Sequence, residues 1–95
     1  LYRQTDDGTE NVYELRVLNK SERDHVFVLS VRGLDGARLG DGANEWTVKA
    51  GEVYSVPVRV EAPEAVRGGH DLWFELRAKD DPRLVAGSKA RFIAP

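Results

Sequence analysis

The fold class is decided by one stretch with strictly alternating side chains, Asn11-Val12-Tyr13-Glu14-Leu15-Arg16-Val17-Leu18-Asn19-Lys20. Its apolar and charged residues fall on opposite sides of an extended chain, namely Tyr13, Leu15 and Val17 against Glu14 and Arg16. A period of two predicts a β-strand with one face on a core and the other in water. Turn-forming residues bracket it, so we predict a strand over 12–19.

Further alternating runs follow along the whole chain, and turn-forming residues separate them. They predict strands over 25–32, 37–40, 45–49, 52–60, 70–79 and 85–93, with an edge strand over 1–5. Many short strands without a 3.6-residue period predict an all-β fold, an immunoglobulin-like antiparallel β-sandwich of about seven to eight strands. Pro57 has no N–H group to donate, so strand 52–60 is expected at an edge or with a bulge.

The core must form without a disulfide, because the chain contains no cysteine. Large apolar side chains must then fill the space that a cross-sheet disulfide occupies in many immunoglobulin domains. Those predicted to fill it are Leu15, Val17, Leu29, Phe74 and Leu76. Trp46 and Tyr54 share strand faces with valines and are also expected in the core.

The composition indicates a single folded domain over residues 1–95. Hydrophobic residues make up 41% of the chain and charged residues 32%, which is typical of a folded chain. The net charge is −2 and the basic residues are scattered, so nucleic acid is not an expected partner. Because the chain contains no methionine, and so no initiator, we expect it to be an excised part of a longer protein. It contains no apolar run of membrane-spanning length, so any membrane segment of the longer protein is expected outside these residues.

The two histidines, His25 and His70, are the first candidates for chemistry. Each begins a predicted strand, where a solvent-exposed position is expected. Copper would need a cluster of histidine, methionine or cysteine ligands, and two histidines without sulfur ligands make a poor site. His70-Asp71 does not predict a catalytic triad, because adjacent strand residues point to opposite faces and no nucleophile elbow is present. No catalytic residue is assigned.

Two acidic pairs, Asp6-Asp7 and Asp80-Asp81, lie in predicted turns. Calcium would need further oxygen ligands, and the sequence lacks the calcium-loop pattern, so turn formation is the favoured interpretation. No metal ligand is therefore assigned. Asn19-Lys20-Ser21 matches the N-glycosylation sequon, but a tight turn explains it equally well.

One tryptophan suggests a partner surface. Trp73 alternates with Leu72 and Phe74 and so faces outward. In an immunoglobulin-like topology strands 25–32 and 70–79 are neighbours in one sheet. Val26 and Val28 face outward on the former, so one interpretation is a small exposed patch of Trp73, Val26 and Val28 that marks a partner surface. The alternative is that Trp73 is covered by a loop or simply half-exposed, since isolated apolar residues are common on protein surfaces.

Several segments together resemble a known family. They are Leu1-Tyr2-Arg3, Asp7-Gly8, residues 10–20, His25, Leu29-Ser30-Val31, Gly33-Leu34 and Phe92-Ile93-Ala94-Pro95. The most specific of them is Asn11-x-Tyr13 followed by Asn19-Lys20. On these residues the chain resembles the C-terminal domain of the FixG/CcoG family, the cytochrome c oxidase accessory proteins of bacteria.

The resemblance implies an immunoglobulin-like domain that faces the periplasm at the end of an inner-membrane protein with several transmembrane helices. Full-length members bind two iron–sulfur clusters in a cytoplasmic ferredoxin-like part, and they support copper handling and assembly of the cbb-type haem–copper oxidase. The cluster ligands in the family are cysteines. This chain has none, so we expect neither a cofactor nor catalysis in these 95 residues.

Three functions remain open from the sequence. The domain could be an interaction module that docks a protein partner of oxidase assembly. It could instead bind a small ligand, either copper or a glycan that stacks on Trp73. It could also be a cap that stabilises the longer protein without a specific partner.

Overall fold

Two antiparallel four-stranded sheets pack face to face in the computed structural model, which describes residues 2–40 and 44–95. The strands are β1 (Tyr2–Thr5), β2 (Gly8–Leu18), β3 (His25–Arg32), β4 (Arg38–Leu39), β5 (Glu45–Val48), β6 (Val53–Pro63), β7 (Gly68–Ala78) and β8 (Val85–Ala94). The first sheet has the order β1-β2-β6-β4, and the second has the order β5-β3-β7-β8. The predicted all-β sandwich is confirmed, as is the pairing of β3 with β7. In these described ranges no helix is long and apolar enough to cross a membrane.

The strand pattern was predicted well in the middle of each strand and less well at the ends. β3 spans the predicted 25–32, and β1 occupies the predicted edge position, with Leu1 outside the described residues. β2 starts four residues earlier than predicted, so Asn11 lies inside the strand rather than in a turn before it. The extra residues of β2 pair with the extra residues of β6, in a register that begins at Gly8 opposite Pro63.

The core lies between the sheets and draws on both. Its largest fully buried apolar side chains are Phe92, Leu72, Val48 and Val60. Of the residues predicted for the central space, Val17, Leu29 and Phe74 are buried. Leu15 and Leu76 are only half-buried, although they pack against the same core, and so are Trp46 and Tyr54.

The prediction that Pro57 lies at a strand edge is confirmed, because β4 covers only part of β6. β4 pairs with β6 only at Val60 and Glu61, and the Gly40 N–H group donates to the Arg59 carbonyl at 2.8 Å. Since backbone groups alternate in direction along a strand, Pro57 directs its nitrogen to the same side as Arg59, beyond the reach of the short β4. Proline at this position therefore costs no hydrogen bond between β6 and β4.

Candidate functional site

The Asn11-x-Tyr13 segment joins the two sheets. The Asn11 amide donates to the Ile93 carbonyl and accepts from the Ile93 N–H group, both at 2.9 Å. The Tyr13 hydroxyl donates to the Arg91 carbonyl at 2.8 Å, and its ring lies edge-to-face against Phe74 with centroids 5.0 Å apart. Burial raises the pKa of Tyr13 to about 12, which keeps the hydroxyl a donor. Both side chains thus hold the last part of β8 against β2.

The Asn19 side chain forms four hydrogen bonds that hold the turn after β2. Its side chain donates to the Arg23 and Val48 carbonyls, both at 2.8 Å, and accepts from the N–H and hydroxyl groups of Ser21. The residue is only 1% exposed. The amide nitrogen that a glycan would need is buried and donates two hydrogen bonds. The turn interpretation of Asn19-Lys20-Ser21 therefore accounts for this segment in the folded chain.

The prediction of a solvent-exposed His25 is wrong. His25 is the first residue of β3 and is 3% exposed, and its imidazole lies 6.0 Å from the ring of Phe27. Its Nδ1 lies 2.7 Å from the carboxylate of Asp80, in the turn between β7 and β8. This hydrogen bond is the main cause of the lowered pKa of Asp80. The partner lies 55 residues away, so no local pattern marks it.

The two histidines do not form a shared site. His70 lies near the start of β7, and its Nε2 is 2.6 Å from the Arg67 carbonyl. His25 sits beyond the other end of β7, because Phe27 is paired with Ala78. Eight strand residues separate those two ends, which corresponds to roughly 25 Å. One copper ion cannot bind both imidazoles of the same molecule.

The acidic pairs form turns, as predicted. Asp6-Asp7 is the two-residue loop between β1 and β2. Asp81 accepts hydrogen bonds from the backbone and side chain of Arg83, and these bonds lower the pKa of its carboxyl group. Among residues 2–40 and 44–95, no group of three or more histidine, cysteine, aspartate or glutamate side chains could hold a metal ion.

Trp73, Val26 and Val28 share the outer face of the second sheet and are half-buried, but they do not form one apolar patch. Trp73 is paired with Arg32, whereas Val28 is paired with Arg77 farther along the sheet. The Arg32 guanidinium and the Lys89 ammonium each lie 5.9 Å from the Trp73 ring centroid. Two cations therefore lie close to the indole ring. Binding of a partner there stays a prediction.

A row of four charges that the sequence did not reveal crosses the outer face of the first sheet. Arg3, Glu10, Glu61 and Arg38 occupy successive positions on β1, β2, β6 and β4. Arg3 pairs with Glu10 at 3.2 Å, and Arg38 pairs with Glu61 at 3.1 Å. Because each carboxylate has its own guanidinium, the row stabilises the sheet and does not resemble an acid–base pair.

A groove lies between β2 and β8 at one side of the sandwich, and we call it the lateral groove. It runs between residues 14–20 and 84–88, and its two sections have volumes of about 390 and 290 Å³. Its floor includes the core residues Phe27 and Phe74 and the half-buried Leu76. The groove also explains why Leu15 and Leu76 are less buried than predicted. Nothing in the local sequence marks it, because its two walls are 70 residues apart.

Comparison with known proteins agrees with this architecture. A family model described as "IG-like fold at C-terminal of FixG, putative oxidoreductase" matches residues 1–95. The chain is also similar to the crystal structure of a FixG-related protein from Vibrio parahaemolyticus. The sequence identity is 27% and the TM-score is 0.79, over 92% of this chain and 80% of that one. None of the curated proteins matches.

Proposed function

The chain belongs to the family of immunoglobulin-like domains at the C terminus of FixG, and from this membership we propose that it is a non-catalytic interaction domain. The longer protein would be an iron–sulfur accessory protein of the bacterial inner membrane, and its two clusters would lie outside this chain. The domain would face the periplasm. There it would dock a protein partner during copper handling and assembly of the cbb-type cytochrome c oxidase.

The observation that supports this proposal is the role of the residues typical of the family. Asn11 and Tyr13 bind the backbone of β8, and Asn19 binds the backbone around its own turn. Residues that recur for catalysis would be expected to point into a cleft with free polar atoms. Here the polar atoms are used within the scaffold. The surface is therefore the part of the domain that is available for function.

The proposal can be tested in the full-length protein by exchanging the domain. One chain carries an unrelated immunoglobulin-like domain in place of residues 2–95, and a second carries Trp73→Ser, Val26→Ser and Val28→Ser. We expect the exchanged chain to reach the membrane at normal levels and to support much less cbb-type oxidase activity. Full oxidase activity with the exchanged domain would show that the domain is only a cap. The triple variant tests whether the predicted patch is the docking surface.

The proposed location has its own test. Alkaline phosphatase folds to an active enzyme only in an oxidising compartment, where its disulfides form. A fusion of this enzyme to the end of the full-length chain should therefore be active in intact cells. An inactive fusion at normal protein levels would place the domain in the cytoplasm and overturn the periplasmic assignment.

A further inference from the structure

The edge of β8 that faces away from β7 is only half covered. Ile93 and Arg91 direct backbone groups away from β7 to Asn11 and Tyr13, whereas the Leu84 carbonyl accepts from Ala78 at the end of β7. Backbone direction alternates along a strand. The residues that direct N–H and C=O groups to the uncovered part of this edge are Val85, Gly87 and Lys89.

The neighbouring edge of β2 is open over the same length. β1 pairs with β2 only at residues 8–11, and the Asn19 N–H group donates to Glu52 on the side of β6. By the same alternation, Glu14, Arg16 and Leu18 direct their backbone groups away from β6. Because Asn11 and Tyr13 on β2 form hydrogen bonds with the backbone of β8, both open edges lie on the same side of the sandwich.

The lateral groove between these edges has an apolar floor. Small side chains at residues 86–88 leave Leu15 and Leu76 half-exposed, and Leu18 and Val85 at the rim are 46% and 48% exposed. An extended segment could pair with a strand edge through its backbone and place alternate side chains on this floor. That combination of a free ladder and side-chain pockets is the basis of strand addition.

The charge of the rim selects among possible occupants. Arg16 and Lys20 line the wider section, no acidic residue of the described chain lines it with them, and neither forms an ion pair within the described residues. Glu14 lines the narrower section together with Arg16, so the basic charge is concentrated at the Lys20 end of the groove. Acidic side chains at one end of an extended segment would complement the rim.

We propose that the lateral groove binds an extended segment of a partner protein, which adds a strand to the open edge of β8. The segment alternates apolar and polar residues and carries acidic residues at the end near Arg16 and Lys20. This deepens the proposed function by assigning its docking surface. It does not depend on Trp73, Val26 or Val28.

The test begins with a library of random twelve-residue peptides displayed on phage and selected on the 95-residue chain. We expect selected sequences to alternate apolar and polar residues and to carry acidic residues at one end. A synthetic peptide of the selected sequence should shift the amide NMR signals of Val85, Gly87 and Lys89. Failure to select any peptide, or shifts confined to other faces, would overturn the proposal.

Two variants at one residue test the pairing itself. Gly87→Pro removes an N–H group that points to the open edge, and Gly87→Ala keeps it. A Cβ atom at Gly87 would meet only the Phe74 carbonyl oxygen, at an ordinary 3.6 Å. We expect about tenfold or greater loss of peptide affinity for the proline variant and little change for the alanine variant. Equal affinity in two folded variants would contradict strand addition at β8.

Arg16→Glu with Lys20→Glu covers the case in which the proline variant does not fold. Both residues are exposed, and selection on this variant should favour basic instead of acidic residues. An unchanged selection would contradict the charge assignment.

The full-length protein separates this proposal from the proposed function. Normal oxidase activity with Gly87→Pro, but not with the exchanged domain, would disprove docking in the lateral groove and leave the interaction function standing. Self-association of the native chain through β8 would replace the partner with a second copy.

Discussion

Replacement of Asn19 by alanine tests most directly whether the residues that carry the sequence resemblance to the FixG family serve the scaffold. The substitution removes two donated and two accepted hydrogen bonds around a side chain that is 1% exposed. These bonds connect the turn after β2 with the end of β5 at Val48. The variant should therefore weaken the connection between the turn and the second sheet, which the hydrogen bond from the Ala50 N–H group to Asp24 still supports.

The size of the effect follows from how buried each partner is. Val48 is fully buried, but its carbonyl lies opposite His25 in the β3–β5 ladder and keeps the His25 N–H group as a partner, so loss of the Asn19 bond there should cost about 0.5–1.5 kcal/mol. The groups of Ser21 and Arg23 are near water and should contribute about 0.5 kcal/mol each. The expected loss is about 2–3 kcal/mol. For 95 residues the total free energy of unfolding is about 5–14 kcal/mol, so a large part of it depends on this residue.

Urea unfolding followed by tryptophan fluorescence measures this loss. With a slope of about 1–1.5 kcal/mol per M for a small domain, a loss of about 3 kcal/mol lowers the midpoint by about 2–3 M. The matched control is Ser21→Ala, which removes hydroxyl bonds at a partly exposed site and should cost less than about 1 kcal/mol. An Asn19→Ala midpoint no lower than that of the control would refute the structural role.

Two further predictions concern the joint between the sheets and the turn after β3. Because the pKa of Tyr13 is raised from 10 to about 12, its contribution to stability is complete below pH 10 and is lost as the pH rises from 10 to 12. The difference in unfolding midpoint between the native chain and Tyr13→Phe should shrink over that range, and a constant difference would contradict the assignment. Gly33→Ala should cost about 1–3 kcal/mol, because φ at Gly33 is +94° and a Cβ atom would contact the Trp73 ring. Gly51→Ala is the control with φ of +76° and no atom within 4 Å, and an equal loss there would show that the Trp73 contact does not matter.

The alternation of side chains predicted the interior of each strand because burial of one face imposes a period of two. It could not predict the long β2–β6 pairing at Gly8 and Pro63, since that register depends on residues about 55 positions apart. The first residue pairs of this ladder contain the buried polar residues Thr9, Glu10 and Asn11, which break the apolar pattern. The side chains of Glu10 and Asn11 bind partners in other strands, Arg3 and Ile93, and the partner of Asn11 lies far outside any local window.

The errors at the candidate site have the same origin. His25 was predicted to be exposed from its place at a strand start, but the turn that holds Asp80 covers it. Trp73 does face outward, as the alternation predicted. Its neighbours follow from the β3–β7 register, which pairs it with Arg32 rather than with Val28. The direction in which a side chain points follows from the alternation in its own strand. Which side chains lie next to it depends on the register between two strands.

The strand edges of this sandwich differ in whether they keep free backbone donors. On β6, Pro57 removes a donor where β4 ends, and an exposed edge without donors pairs poorly with other chains. The last part of β8 is covered by Asn11 and Tyr13. The first part of β8 keeps its donors, as does the neighbouring stretch of β2, beside an apolar floor and the basic rim residues Arg16 and Lys20. Acidic side chains at one end of an extended segment would complement Arg16 and Lys20. A strand edge that keeps its donors beside an apolar floor and a basic end combines the features that docking of such a segment requires.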